Sequence, residues 1–207
     1  MKFQFYSKYF ICIFFAVGIW NVTSQNKSHL SINKEGIRVY VTKLDTTVFK
    51  EYKAVMTVKA PIDSVSKVIL DVDKVKTWNF KTQNSQLLKK ISDSSWVFYM
   101  AHHWGWPIQD RDHVSKATLI KKRDEQIITL VPYNNYLKER KDYIRLKNFK
   151  GYWHLKKIDD NQTLVVQQIY GNPEGDIPPF MVNLIVSKGP FDTFKALRNR
   201  LENLNKK

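Results

Sequence analysis

The stretch HHWGWPIQDRDHV, residues 102–114, decides how this chain reads. Aromatic and apolar residues run straight into Asp110, Arg111 and Asp112, which puts a guanidinium between two carboxylates where a strand should begin. In an extended chain successive side chains point to opposite faces. Arg111, His113, Ser115 and Ala117 therefore share one face, and Asp112, Val114, Lys116 and Thr118 share the other. Arg111 and Asp112 point apart and are poorly placed to pair. If the face of Arg111 is the concave one, a cation enters a mostly apolar space and needs an anion opposite it. A phosphate or carboxylate of a ligand would serve, held in bidentate fashion. An internal bridge to Glu51 or Asp110 would serve as well, and such a bridge could open onto a head group.

The preceding segment alternates too. Trp96, Phe98, Met100 and His102 fall on one side, with Trp104 beyond them, and Val97, Tyr99, Ala101 and His103 on the other. The first set reads either as core packing or as the wall of an apolar pocket. Adjacent His102 and His103 face opposite ways, so they do not share a metal ion. A site built from His102 with His113 or His154 lacks supporting Cys or carboxylate spacing, and no metal or cofactor is expected. A histidine acting as general base needs an orienting partner, and none is visible. His102 and His113 are read as polar members of a half-wet cavity. Tyrosines 133, 136, 143, 152 and 170 could add hydroxyls or an aromatic surround for a cation; Tyr152 is placed with the ligand-binding candidates.

Working outward, Gly36–Val41 alternates as a first strand. Tyr52, Ala54, Met56 and Val58, together with Val48, fall on one side of a second strand that ends at Pro61. Ile62, Val65, Val68 and Ile69 then recur at helical spacing, and Asp71–Trp78 reads as a second short helix. Further strands are expected at 86–91, 96–103, 113–120, 126–131, 143–158 and 164–170. The short polar turns between them argue for an antiparallel sheet. Beyond Asn172-Pro173-Glu174-Gly175 the period changes. Phe191, Phe194, Leu197, Leu201 and Leu204 step by three and four, and Gly189-Pro190 should kink or split that helix. The sum is an α+β domain, a curved antiparallel sheet gripping one long C-terminal helix. Such a sheet leaves a space that is either filled by side chains or kept for a ligand.

At 207 residues, with 43% hydrophobic and 26% charged, the composition is that of one substantial globular domain. The N-terminus carries Lys2 and Lys8, then an apolar run, then polar residues from Asn21. That is the order of a secretory signal peptide, expected over 1–24, followed by a short lead over 25–35 and the domain proper over 36–204. An uncleaved N-terminal membrane anchor is the alternative. Cleavage removes Cys12, the one cysteine, and lowers the formal charge of +15 by two. Periplasmic or extracellular placement follows, with no thiol chemistry. The basic balance favours anionic partners such as a membrane surface, or it merely keeps an exported domain soluble. No nucleic-acid module is present, and a monomer is expected.

Three stretches, taken together, resemble the START family, the steroidogenic-acute-regulatory-related lipid transfer domains. Val75-Lys76-Thr77-Trp78 is similar to the family's Trp-containing segment, Trp106–Asp112 to its W-P-x-x-x-R-D signature, and Pro178–Asn183 to the start of its lid helix. The likeness covers about residues 36–204. It implies a helix-grip fold of the Bet v 1-like kind, with a hydrophobic cavity for one lipid-like molecule and no covalent chemistry. It implies Arg111 as the polar contact to a head group and Asp112 as structural, while His113 replaces the aromatic that usually follows. Phe180, Met181, Leu184 and Ile185 are the lid candidates. Two rivals remain: a cyclase or dehydratase of the same fold acting on an aromatic or polyketide substrate, and a cationic surface-binding protein with a filled core.

Overall fold

A computed structural model describes residues 28–44, 50–175, 177–178, 181–182 and 184–204. The described residues form ten strands in one sheet. They are β1 (Ser28–Lys34), β2 (Ile37–Lys43), β3 (Lys50–Val58), β4 (Thr82–Ser92), β5 (Ser95–His102), β6 (Asp110–Lys121), β7 (Glu125–Pro132), β8 (Tyr143–Arg145), β9 (Phe149–Asp159) and β10 (Gln162–Gly171). Their order is β1-β2-β3-β10-β9-β7-β6-β5-β4, every neighbour antiparallel, with the short β8 added parallel to β6. Helices α1 (Ile62–Leu70) and α2 (Val72–Val75) carry the chain from β3 to β4 at the far edge.

Most of the expected elements are present, and the departures have physical causes. Segment 28–34, expected to belong to a lead, is an edge strand that pairs with β2. Glu35 and Gly36 join the two at φ 52° and 69°, the paired positive values that a tight hairpin turn needs. The single strand expected over 143–158 is broken in two: residues 146–148 leave the sheet, and β8 turns aside to pair with β6. Val48 lies outside the described residues. Gly151 sits where β9 presses against β10, and a Cβ there would stand 2.7 Å from Ile169 Cγ1 and 2.9 Å from the Gln168 carbonyl oxygen. Only a residue without a side chain permits that approach.

Helix α3 (Gly189–Leu204) lies across the concave face. Phe194, Leu197 and Leu201 recur on one side and are fully buried, each contributing about 1.5–3 kcal/mol of transfer free energy. The Phe194 ring stacks on Trp153 at 5.7 Å, and Trp153 meets Trp78 edge-on at 6.2 Å. Leu204, expected on this stripe, is exposed where the helix outruns the sheet. The Gly189-Pro190 break takes the form of a π-helical turn over Leu184–Lys188 that runs directly into α3. Proline has no N–H to give to a carbonyl four residues back, and the wider turn absorbs the misfit. Gly189 lets the helix approach Phe80, whose ring would lie 3.0 Å from a Cβ at that position.

The sheet is covered on its convex side too. Val97, Tyr99, Ala101 and Val114 form a second small core beneath Leu88 and Tyr143. Strand β5 is thus buried on both faces. That explains why its sequence is apolar at nearly every position.

Candidate functional site

Between the concave face and α3 lies a cavity of about 490 Å3. Antiparallel register builds its wall from β5 and β6: Phe98 pairs with Ser115, Met100 with His113 and His102 with Arg111, and all six line the space. Ala117 lines it as well. Helices α1 and α2 close one end with Ile69, Leu70, Val72 and Val75, next to Trp78. At the other end is the strand break after β10, where Asn172, Pro173 and Gly175 reach the cavity beside Arg111.

Arg111 is 3% exposed. Its Nε donates to the Pro173 carbonyl at 3.4 Å, its Nη2 to the Glu174 carbonyl at 3.1 Å, and its Nη1 to the Gln109 carbonyl. Burial pulls its pKa down, and nearby Asp110 opposes that. The bridge expected to Glu51 or Asp110 does not form. Asp110 instead binds the Trp104 amide at 2.9 Å, His103 Nδ1 at 3.0 Å and Gln83 at 3.2 Å, so it holds the turn before β6. Glu51 is paired in register with Thr42 and Tyr170 on other strands. Carbonyl oxygens fix the guanidinium but carry no full charge. Among the described residues, no carboxylate reaches it.

His102 and His113 stack at 5.4 Å between ring centroids. Each keeps some accessible surface, but both rings line the cavity and are otherwise enclosed by protein. His102 Nδ1 lies 3.2 Å from the Thr82 hydroxyl, and His113 Nδ1 lies 2.7 Å from that of Ser115. Burial depresses the pKa of His102 to about 4 and drives that of His113 well below the usual histidine value. Both are neutral near pH 7, so they offer dipoles and not charges. Among the described residues, no cluster of His, Cys, Asp or Glu could hold a metal ion. The indole Nε1 atoms of Trp78 and Trp104, both cavity residues, are buried donors without a protein partner.

Two expected wall residues are elsewhere. Trp96 shares the face of Phe98 but lies two residues further along β5, where it packs on the core beyond the cavity. Tyr152 points away, because its neighbour Trp153 faces in; its hydroxyl donates to Gln168 at 2.7 Å. The inward tyrosine is Tyr52, which donates to Gln167 at 3.0 Å, and burial raises its pKa. Of the lid candidates, Ile185 lines the cavity, while Met181 and Leu184 do not, and Phe180 lies outside the described residues. Val182 and Val186 take their places. Tyr52 was legible as a member of the inward face of its strand. The break at 172–175 was legible as the end of a strand, but nothing in it signalled that its carbonyls would meet Arg111.

Asp112 faces the other way, as alternation requires. Its carboxylate receives Arg145 Nε at 2.7 Å and Nη2 at 3.0 Å, with the two side chains 0% and 1% exposed. Arg145 also donates to the carbonyls of Leu137 and Lys138. The bridge clamps the covering segment onto the strand end that presents Arg111.

A curved sheet, a gripping helix and an apolar cavity with one buried cation define a helix-grip domain. The chain belongs to the START domain family, whose model matches residues 23–207. It is similar to a STAR-related lipid transfer protein of Xanthomonas axonopodis, at 32% identity over 84% of this chain and 98% of that one, with a TM-score of 0.78. An uncharacterised protein of Pseudomonas aeruginosa is 28% identical over 84% of this chain and 86% of its own length. The phosphatidylcholine transfer protein of Rattus norvegicus is 25% identical over 86% and 85%.

Proposed function

We propose that the protein binds, and carries between membranes, one lipid-like amphiphile whose hydrocarbon part lies in the cavity and whose polar end meets Arg111. The observation that carries this reading is the buried guanidinium, held in place by three carbonyls at the end of an apolar space of about 490 Å3. A charge fixed there is best matched by an oxyanion. The lipid transfer proteins among its relatives support the reading. No covalent step is part of it. Acid–base catalysis by His102 or His113 would fall to a weakly basic imidazole, because burial lowers the pKa of both.

The site of membrane contact is the rim. Trp106 is 96% exposed on the turn between β5 and β6, whose two ends hold the cavity residues Trp104 and Arg111. Gln109 ties that turn to the Lys141 carbonyl, within a segment that exposes Tyr133, Tyr136 and Leu137 beside Lys138 and Lys141. Tryptophan and tyrosine settle at the membrane interface, and each nearby lysine adds roughly 1 kcal/mol of attraction to an anionic leaflet. In this proposal the chain is exported, on the basis of its first 24 residues, and acts as a monomer. The described residues contain no helix long and apolar enough to cross a membrane. The test is transfer of a pyrene-labelled fatty acid from donor vesicles containing phosphatidylglycerol to acceptor vesicles. Wild-type protein speeds transfer, and Trp106→Ser slows it while leaving the amount of bound lipid unchanged. Transfer no faster than without protein would refute the carrier role.

A further inference from the structure

Ser115 settles which proton His113 carries. The serine is fully buried, and among the described residues the partner of its hydroxyl is His113 Nδ1, at 2.7 Å. A buried hydroxyl keeps its hydrogen bonded, and Nδ1 is the acceptor in reach. The serine therefore donates, and the imidazole proton sits on Nε2. The ring is held in place by Phe149, edge-on at 5.2 Å, and by His102, stacked on it at 5.4 Å. An N–H lies in the plane of its ring, so a ring stacked on the face does not receive it.

His113 lines the cavity on the strand that also carries Arg111, and among the described residues its Nε2 has no acceptor. The side-chain amide oxygens lining the space already receive protons: that of Gln167 from Tyr52 at 3.0 Å, that of Asn172 from the Glu174 amide at 2.8 Å, and that of Asn79 from Thr193 at 3.5 Å. Among the described residues no carboxylate lines the cavity. Hydrocarbon laid against Nε2 would leave a desolvated donor unbonded, which is unfavourable. The missing acceptor has to come from the ligand. Arg111 and His113 are next but one on the same strand face, so that acceptor belongs to the part of the ligand beside its charged end.

We infer that the ligand carries a carbonyl oxygen beside its oxyanion, and that His113 selects for it by donating its Nε2 proton. Two classes of amphiphile have that pairing. In an anionic glycerolipid ester carbonyls lie a few bonds from the phosphate, and in an oxo fatty acid a ketone lies a few carbons from the carboxylate. Plain fatty acids and ether-linked lipids lack it and bind less tightly. The inference rests on the proposed lipid-binding function and goes beyond it, because Arg111 answers to charge whereas His113 answers to a neutral acceptor at a second point.

The test is a native mass spectrometry titration of the delipidated protein with two matched pairs: dipalmitoyl phosphatidylglycerol against its dihexadecyl ether analogue, and 4-oxopalmitate against palmitate. Expected is binding of the carbonyl-bearing member at least about tenfold tighter in at least one pair. Discrimination in the glycerolipid pair assigns the carbonyl to an ester, and in the acid pair to a ketone. His113→Phe keeps a flat ring and removes the N–H, so the ratio of the two affinities falls to about one. His113→Gln, which still presents an amide N–H, keeps a larger ratio than His113→Phe. Should His113→Phe not fold, Ser115→Ala gives the answer: without the serine proton the imidazole hydrogen is free to move to Nδ1, and the ratio drops. Ratios near one for both pairs in the wild-type protein, or a ratio in these variants as large as in wild type, overturn the inference and leave lipid binding intact. If no member of either pair binds, the functional reading fails with it.

Discussion

Arg145→Met should be among the most damaging single substitutions in the sheet, although Arg145 does not touch the cavity. Its guanidinium meets both oxygens of Asp112 at 2.7 and 3.0 Å, in a place where neither side chain reaches solvent. Methionine keeps much of the bulk and removes the charge. The Asp112 carboxylate is then left buried without a counter-charge, which costs about 3–5 kcal/mol. Against a total stability of about 5–15 kcal/mol that is a large share. For a domain of this size it lowers Tm by roughly 6–20 °C, at 2–4 °C per kcal/mol. Urea unfolding followed by tryptophan fluorescence measures it directly. The double variant Asp112→Leu/Arg145→Met removes both charges and should recover most of the loss, because an apolar pair of similar volume is often neutral in such a place. Asp112 also fixes the strand end that presents Arg111, so lipid retention should fall in the single variant and return in the double. A loss below about 1 kcal/mol in Arg145→Met, or a double variant no better than the single, would refute the clamp.

Gly151→Ala should destabilise by about 1–3 kcal/mol, because its Cβ would collide with the Gln168 carbonyl and Ile169; equal urea midpoints for the two proteins would count against that close approach. Acid should weaken the fold through His102, whose pKa falls from 6.5 to about 4 on burial. The unfolded chain takes up this proton near pH 6.5 and the folded one only near 4, so stability is full above 6.5 and is lost as pH falls between them, by about 3 kcal/mol. His102→Gln should flatten that slope in melts recorded across the window, and an unchanged slope would assign the acid sensitivity elsewhere. Arg111→Met should cut retention of an anionic lipid by at least about tenfold while changing Tm little, since a desolvated charge disappears together with its carbonyl bonds. Unaltered retention would remove Arg111 from the binding site.

What the sequence made legible was what strand periodicity can carry. Alternation separated Arg111 and His113 from Asp112 and put Phe98, Met100 and His102 on the same wall, and the structure pairs these residues across β5 and β6. The helical spacing of Phe194, Leu197 and Leu201 likewise marked the gripping face. Partners distant in sequence were not legible. Arg145 lies 33 positions beyond Asp112, and nothing local announces that a short strand will fold back beside β6. Alternation also does not say where along a strand a cavity ends, so Trp96 was placed on a wall it does not reach. It does not say which of two neighbouring aromatics faces in, so Tyr152 was chosen where Trp153 belongs. The ion pair expected for Arg111 failed for a related reason. Two of the three carbonyls that hold it come from a loop whose backbone path has no period.

The central claim is that the cavity holds a lipid. Native mass spectrometry of the protein isolated from the cells that make it, followed by organic extraction and identification of what is released, tests this most directly. The account predicts one amphiphile per chain, lost on denaturation and depleted in Arg111→Met. An empty protein that also takes up no fatty acid from vesicles would contradict it.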